Sequence, residues 1–553
     1  SRVRADLDGD RFRIGRGEAL TWRYDGAARV AAGGLRRGDI SAEGLVLSLS
    51  EAVAGGGPNG TELTAEAGLT AVRFSQDELS LLGVTGAFDL DATFTGASLV
   101  TLRGGVRSRG GSWPILGAPR AEDIPEQADL KRAFGAFALD APGLTLRTGS
   151  PGTTLFLTRP AHVTPASGGQ VVIETREGQP LYAARPGESG GGAFALTATG
   201  GGLPDAQVQV IRYDMGRGIT ARIDGRAELD FGLARDVSLT TAGRLEIGGG
   251  RTDYFAGGCA SFTSALLELG ENDVHNLSAS LCPPDGPMLT IADGWRFRSQ
   301  AREVRAEAPF LGMGVTEATG LITAADRGSG LTAAADVASA TIHDTQEPTR
   351  FNPMRGTGRV TLANEVWDGA FEIADRVHGA DVADLTLRHD GRSGAGGLII
   401  DARGVTFAPE GLQPADLSPF AERVAQSQAS GAVDFTGGFR WNADGATSSG
   451  VLSTEGLDFV SPAGPVTRLR GEVEFISLAP LTTAPAQRLR VERIDAFLPL
   501  LSAEVEFDLN ADRLRLADGR VETAGGSVSI EPLEVPLDAS EAYEGVLILE
   551  NVQ

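Results

Sequence analysis

Two cysteines, one lysine and five histidines are all that this 553-residue chain offers of several side chains used for metal binding, nucleophilic attack or proton transfer. The histidines (His162, His275, His343, His378 and His389) are dispersed, and none belongs to an H-E-x-x-H or other paired-ligand pattern. His343 precedes Asp344 directly, but neighbours on a strand point to opposite faces, so adjacency makes no dyad. No G-x-S-x-G elbow or Walker A motif occurs. Gly55–Gly60 matches G-x-G-x-x-G by letter, yet Pro58 and the Asn59-Gly60 turn leave no helix start to hold a pyrophosphate. The chain is not read as an enzyme, and neither a cofactor nor a metal is expected.

Positive charge is also scarce. Arg and Lys total 49 against 73 acidic residues, a net charge of −24. Nucleic-acid binders carry a basic stripe or patch, so that class is excluded. Nor is there support for a polybasic surface docking on anionic lipid headgroups. Lys131 is the only lysine, which reads as a genomic composition bias and not as chemistry. No apolar run approaches the ~18 residues that span a bilayer, and no signal peptide is visible. The chain begins at Ser1 and stops at Gln553 just after a strand, so both ends read as cut and an anchor is expected outside these residues. Tyr and Trp number 5 each, too few for the two aromatic girdles of a membrane β-barrel. Cys259 and Cys282 suggest one disulfide formed in an oxidising compartment, with two free buried thiols as the alternative.

What the chain has in abundance is glycine, 75 residues, and period-two alternation. Phe88, Leu90, Ala92 and Phe94 alternate with Asp89, Asp91, Thr93 and Thr95; Ile219, Ala221 and Ile223 alternate with Thr220, Arg222 and Asp224. Ala227, Leu229 and Phe231 continue the pattern, as do Val473 and Phe475, then Val505, Phe507 and Leu509 between Glu504, Glu506 and Asp508. Such a period places apolar side chains on one strand face and charges on the other. Asp6-Leu-Asp8-Gly-Asp10 reads as a turn and Arg103–Pro125 as a long connection; Glu126–Phe137 and residues 418–428 read as short helices, the second with Ser418 as N-cap and Pro419 in the first turn.

About 12 residues per strand and turn gives roughly 45 strands. If about 30–40 of them pair in one sheet at ~4.8 Å, it extends roughly 150–190 Å and must twist, curl or split into layers. A sandwich or propeller series would hide the apolar face; a curled half-pipe would leave it lining a groove. Periodicity favours neither, but few aromatics with much Gly and Ala fit a thin, curved sheet. The fold class is therefore all-β with few short helices: one long, twisted antiparallel sheet over 1–553, curled into an elongated half-pipe with a hydrophobic groove. Groove-lining positions are expected at Phe88, Leu90, Phe94, Ile219, Ile223, Leu229, Phe231, Phe475, Val505, Phe507 and Leu509, against the alternative of a closed core.

The block Leu469-Arg-Gly-Glu-Val-Glu-Phe475, with Leu481–Leu489, Ile494 and Ala524-Gly-Gly526, resembles the C-terminal signature of the YdbH family, in the AsmA-like group of bacterial bridge proteins. Ala496-Phe497 departs from that pattern, where a Gly is expected soon after the Ile. Residues 468–537 carry this resemblance as a family-specific β segment. It implies a periplasmic part of a Gram-negative envelope protein, anchored in the inner membrane, that moves phospholipid between the inner and outer membranes. It also implies pairing of the C-terminal edge with a small outer-membrane lipoprotein of the YnbE type, for which Val546, Leu547, Ile548 and Leu549 are the natural edge. Two other classes fit the composition: a Gly-rich surface adhesin or passenger, and an envelope scaffold that binds partners by strand addition.

Overall fold

A computed structural model describes residues 3–550 except 18, 39, 115, 121, 122, 124, 270–272, 327–329, 426, 463, 497, 498, 518, 524 and 537–543. Phe497, Ala524 and Leu537 of the family-specific segment thus lie outside the described residues. The described chain contains 37 strands and three helices, α1 Pro125–Gly135, α2 Pro414–Leu417 and α3 Pro419–Val424. None of the three is long and apolar enough to cross a membrane. Cys259 and Cys282 are both disulfide-bonded. Two compact units form, residues 1–261 with 285–292, and residues 262–284 with 293–553.

In the first unit, long hairpins follow one another: Val3–Arg16, Leu20–Arg37, Ile40–Gly57, Gly60–Gln76, Leu79–Thr95 and Ala97–Ser112 pair antiparallel in chain order. These strands run 14–18 residues, longer than the rhythm of the sequence suggests, because β-bulges pass through what reads as turns. The Asp6–Asp10 segment is an example: the strand continues through it with a register shift between Gly9 and Arg11. A bulge inserts one residue, so apolar Leu7 and Phe12 share a face despite their odd spacing. Arg103 likewise lies within a strand that reaches Ser112, and the connection begins only there.

Helix α1 follows that connection. Its Phe134 packs edge-on against Trp113, ring centroids 6.1 Å apart, and Lys131 Nζ donates to Asp123 at 2.7 Å with both side chains buried. At its other end Glu126 lies 3.9 Å from Arg235.

In the second unit, antiparallel strands again pair in chain order from Gly294–Ala308 through Met313–Asp326, Leu331–Asp344, Met354–Ala363, Val366–Ala374, Asp381–Asp390, Gly396–Phe407, Ser427–Asn442, Gly445–Ser461 and Gly464–Leu478. Gln487–Asp495 and Pro499–Asn510 follow. The sheet then forks. Arg513–Leu516 leads to Leu533–Pro536, while Gly519–Thr523 leads through Gly526–Ile530 to Leu547–Glu550. Bulges recur here, and their extra amides are held by acidic side chains on the adjoining strand. Gly404 N–H (φ +77°) donates to Asp434 at 2.6 Å, and Arg468 N–H (φ +54°) donates to Asp458 at 2.6 Å. Each bulge bends its strand and increases local twist.

Helix α3 starts at Pro419 behind the Ser418 N-cap, whose Oγ accepts from Phe420 N–H at 3.3 Å. It ends at Val424, and a strand begins at Ser427, so the helix is shorter than residues 418–428.

Glycine keeps the strands close. A Cβ at Gly104 would collide with the Ala87 carbonyl oxygen, whereas at Gly34 the nearest atom would be 3.9 Å away. Gly104→Ala should lower stability by about 1–3 kcal/mol, as overpacking does, while Gly34→Ala stays within ~0.5 kcal/mol. Urea unfolding midpoints compare the two directly.

Candidate functional site

Strand registers show how the apolar faces join. In the first unit one row of partners runs Leu7, Ala28, Leu49, Ala67, Phe88, Gly104, Leu144, Leu157 across eight strands. Large side chains alternate with Ala or Gly along most of the row, so each bulky group has space beside it. A second row runs Phe194, Val210, Ile223, Gly243, Ala256. In the second unit the corresponding row is Val337, Gly358, Phe371, Leu385, Ile400, Gly437, Gly450, Phe475.

Aromatic rings lie down on these glycines. A Cβ at Gly437 or Gly450 would meet Phe435 Cζ at 2.8 and 2.7 Å, and one at Gly358 would meet Phe371 Cδ1 at 2.7 Å. The result is a low apolar floor made with few aromatics.

The opposite face is ionic. Arg103–Asp91 (2.5 Å), Arg359–Asp336 (3.1 Å), Arg388–Asp368 (3.2 Å) and Arg490–Glu504 (3.0 Å) bridge neighbouring strands. Others pair within one strand at i and i+2, such as Arg212–Asp214 (2.9 Å). These pairs are exposed, and each adds at most ~1 kcal/mol. Their greater effect is on solvation: this face is content in water and the other is not.

Curl of the second unit can be measured. From the Met313 strand to the Ser427 strand there are six pairing steps. At ~4.8 Å each, a flat sheet would separate them by roughly 29 Å. Yet Phe310, in the turn before Met313, meets Trp441 with ring centroids 5.2 Å apart. Arg350, between the Leu331 and Met354 strands, donates to the Leu478 carbonyl at 2.6 Å. The sheet therefore folds toward its apolar side until turns from one flank rest on strands of the other.

That contact forms a cover. Phe310, Leu311 and Met313 pack on a cluster of Leu398, Phe439, Trp441, Val473, Phe475 and Leu478. Arg350 ties it together by also donating to the Gly312 carbonyl (2.6 Å) and to Asp344 (2.7 Å), with both charged side chains buried. Burial works to raise the Asp344 pKa, but the Arg350 guanidinium and the Gln346 and Arg350 backbone N–H groups outweigh it and hold the carboxyl below its usual range. The same loop reaches the helices: Ser418 Oγ donates to the Arg350 carbonyl at 2.6 Å, and Asn352 N–H to the Leu417 carbonyl at 2.9 Å. Beneath them Leu412, Leu417 and Ala425 pack with Phe407, Leu457 and Phe459.

Within this region Trp441 Nε1–H donates to His389 Nδ1 at 3.1 Å. Burial pushes the His389 pKa down, so the imidazole is neutral. An Nδ1 that accepts leaves the proton on Nε2, and that N–H is buried with no partner among the described residues.

The positions expected to line a groove are placed as follows. Phe88, Leu90, Ile219, Ile223, Leu229, Val505, Phe507 and Leu509 are half-buried, Phe94 and Phe231 are 47% exposed, and Phe475 is buried at 9%. Leu229 with Val237 also lines a cavity of about 550 Å³ rimmed by Asp205, Glu228, Asp230 and Asp236. Phe475 belongs to the covered cluster, and the half-buried Phe507 and Leu509 pack against it. Val505 lies on the Pro499–Asn510 strand of the second unit outside that cluster, and the others lie on strands of the first unit, Phe88 and Ile223 on its apolar rows, so the expected positions are not brought to one point. Val546, Ile548 and Leu549 are exposed at 52%, 42% and 57%, and the Leu547–Glu550 strand pairs antiparallel with Gly526–Ile530.

Phe310, Leu311, Arg350 and Asp344 were not identifiable from alternation, since the first three sit in turns. One local signal existed: Pro309-Phe-Leu-Gly312 puts two large apolar residues in a turn, where polar residues are the norm.

An apolar floor opposite a face of ion pairs agrees with the comparison to known families. No curated protein sequence matches the chain. The model of the YdbH-like family, described as intermembrane phospholipid transport protein YdbH, matches residues 165–553, well over half of the chain. Intermembrane transport of phospholipid places such proteins in the periplasm and cell envelope, and the family is a transport family, not a known enzyme family. The chain belongs to the YdbH-like family of intermembrane phospholipid transport proteins.

Proposed function

We propose that the chain is a bridge-like carrier whose apolar sheet face holds phospholipid acyl chains while headgroups stay in solvent. The observation that carries this reading is the run of register-matched apolar rows opposite a face of ion pairs. An acyl chain of about sixteen carbons exposed to water is disfavoured by roughly 12 kcal/mol, at ~0.8 kcal/mol per CH₂. A uniform apolar floor removes that barrier. No reaction step is needed; passage requires only that no position on the floor bind too tightly.

In the intact protein, an anchor outside residues 1–553 would hold it in the inner membrane. At the other end, a small outer-membrane lipoprotein of the YnbE type would add a strand beside Leu547–Glu550. The exposed Val546, Ile548 and Leu549 support that pairing.

Photocrosslinkers placed singly at 504–507 and 509, read by mass spectrometry for attached lipid, test the carrier reading. Crosslinks at Val505, Phe507 and Leu509 but not at Glu504 or Glu506 are expected. Equal capture on both faces would refute it.

A further inference from the structure

We propose that the Pro309–Gly312 turn and the 345–353 loop form a gate that closes the trough of the second unit over Trp441, with Arg350 as its latch. The proposal rests on the carrier reading and goes beyond it by assigning a place where passage is controlled.

The argument begins with how the cover is attached. The sheet beneath it is held by continuous backbone ladders. The cover reaches the far strands largely through Phe310 and Leu311 packing and one guanidinium, which bonds carbonyls at Gly312 and Leu478 that lie on opposite flanks. Releasing the Arg350 side chain therefore breaks the polar tie to the Leu478 strand while leaving every strand pair intact, and the bonds of the Arg350 carbonyl and Asn352 to the 415–418 segment remain. Gly312 (φ +63°) gives the turn its left-handed residue, and a Cβ there would strike Arg350 Nη2 and Gln346, so the turn and the latch are fitted to each other.

The closed state also leaves something unsatisfied. His389 Nε2–H is buried beside Trp441 with no partner among the described residues. An unpaired buried donor disfavours the state that contains it. Opening the cover would admit an acceptor, either water or the ester carbonyl of an acyl chain. Phe310 stacks edge-on against the same Trp441, so the plug and an acyl chain compete for one surface.

The experiment uses the whole chain loaded from phosphatidylethanolamine vesicles containing a diazirine-labelled acyl chain. Irradiation and trypsin then report labelling on peptide 441–468, which starts at Trp441, and on peptide 227–235, which contains Leu229. The unlatched protein is Arg350→Gln with Asp344→Asn, which removes both charges and leaves neither unpaired; hydrogen exchange over 309–312 and 345–353 confirms release. Phe310→Ala with Leu311→Ala removes the plug and keeps the latch, as an independent second variant. Expected is at least a fivefold rise of labelling on 441–468 in both variants, with 227–235 unchanged. Faster exchange without increased labelling of 441–468 would overturn the gate, and unchanged exchange in the double-charge variant would overturn Arg350 as latch. Absence of label on both peptides in every protein would instead sink the carrier reading itself.

Discussion

Phe507→Asp should reduce phospholipid transport by about 100-fold, and Phe507→Leu should leave it nearly unchanged. Phe507 is half-buried on the apolar side of the Pro499–Asn510 strand, packed with the Trp441–Phe475 cluster, while Glu504 and Glu506 on the other side pair with Arg490 and Arg488. A carboxylate at 507 would draw water onto the floor, and an acyl chain passing it would have to strip that water. A barrier of about 3 kcal/mol suffices for the predicted loss, since each 1.36 kcal/mol is tenfold in rate. Leu229→Arg is expected to act in the same direction but less severely, because Glu228, Asp230 and Asp236 stand near enough to neutralise the guanidinium. Transport between donor and acceptor vesicles, with circular dichroism to confirm the strands, reads both. Wild-type rates in Phe507→Asp would mean that the floor is a closed core and lipid travels elsewhere.

The second large effect is on stability. Arg350→Ala leaves the Asp344 carboxylate buried without its partner, and breaking a buried pair in this way costs about 3–5 kcal/mol. The urea midpoint of the second unit should fall accordingly, and by much less in Arg350→Gln with Asp344→Asn. Acid distinguishes the electrostatic part. Asp344 has a folded pKa below its ordinary 3.8, so its contribution is complete above that value and is lost as pH falls through the folded pKa. Without the guanidinium, burial raises the Asp344 pKa, so the deficit of Arg350→Ala relative to wild type should be largest near pH 7 and shrink steadily as acid protonates the variant's carboxyl. A deficit independent of pH throughout would show that Arg350 acts by packing alone.

Much of the sheet was legible from residues alone. Alternation such as Phe88-Asp89-Leu90-Asp91 fixes both the strand and its two faces, because the period of a strand is two whatever its neighbours do. Strand length was less legible. At Gly9, Gly26 and Glu51 the alternation slips by one, which looks like an end but is a bulge inside a strand of 14–18 residues. That difference lowers the count, to 37 strands among the described residues where the rhythm suggested about 45. Helix α3 was visible through Ser418 and Pro419, while Pro414–Leu417 was not: four residues leave no period to detect.

The cover could not be read at all. Arg350 meets the Leu478 carbonyl across 128 residues, and nothing in a local pattern encodes a meeting that depends on how far a sheet curls. The candidate floor shows the same division. Which residues face the apolar side follows from period two, but which of them are covered, as Phe475 is, and which stay open, as Phe94 is, depends on turns arriving from distant strands.

The buried pair in helix α1 has a consequence for the chain as a chemical object. Lys131 is the only lysine, and its Nζ is taken up by Asp123 with 8% of the side chain exposed. Over residues 1–553 the folded chain thus presents almost no side-chain primary amine to acylating reagents, aldehydes or amine-coupled surfaces. Succinylation that appears on Lys131 reports one event, the departure of α1 from its place beside Trp113, against a silent background supplied by 48 arginines.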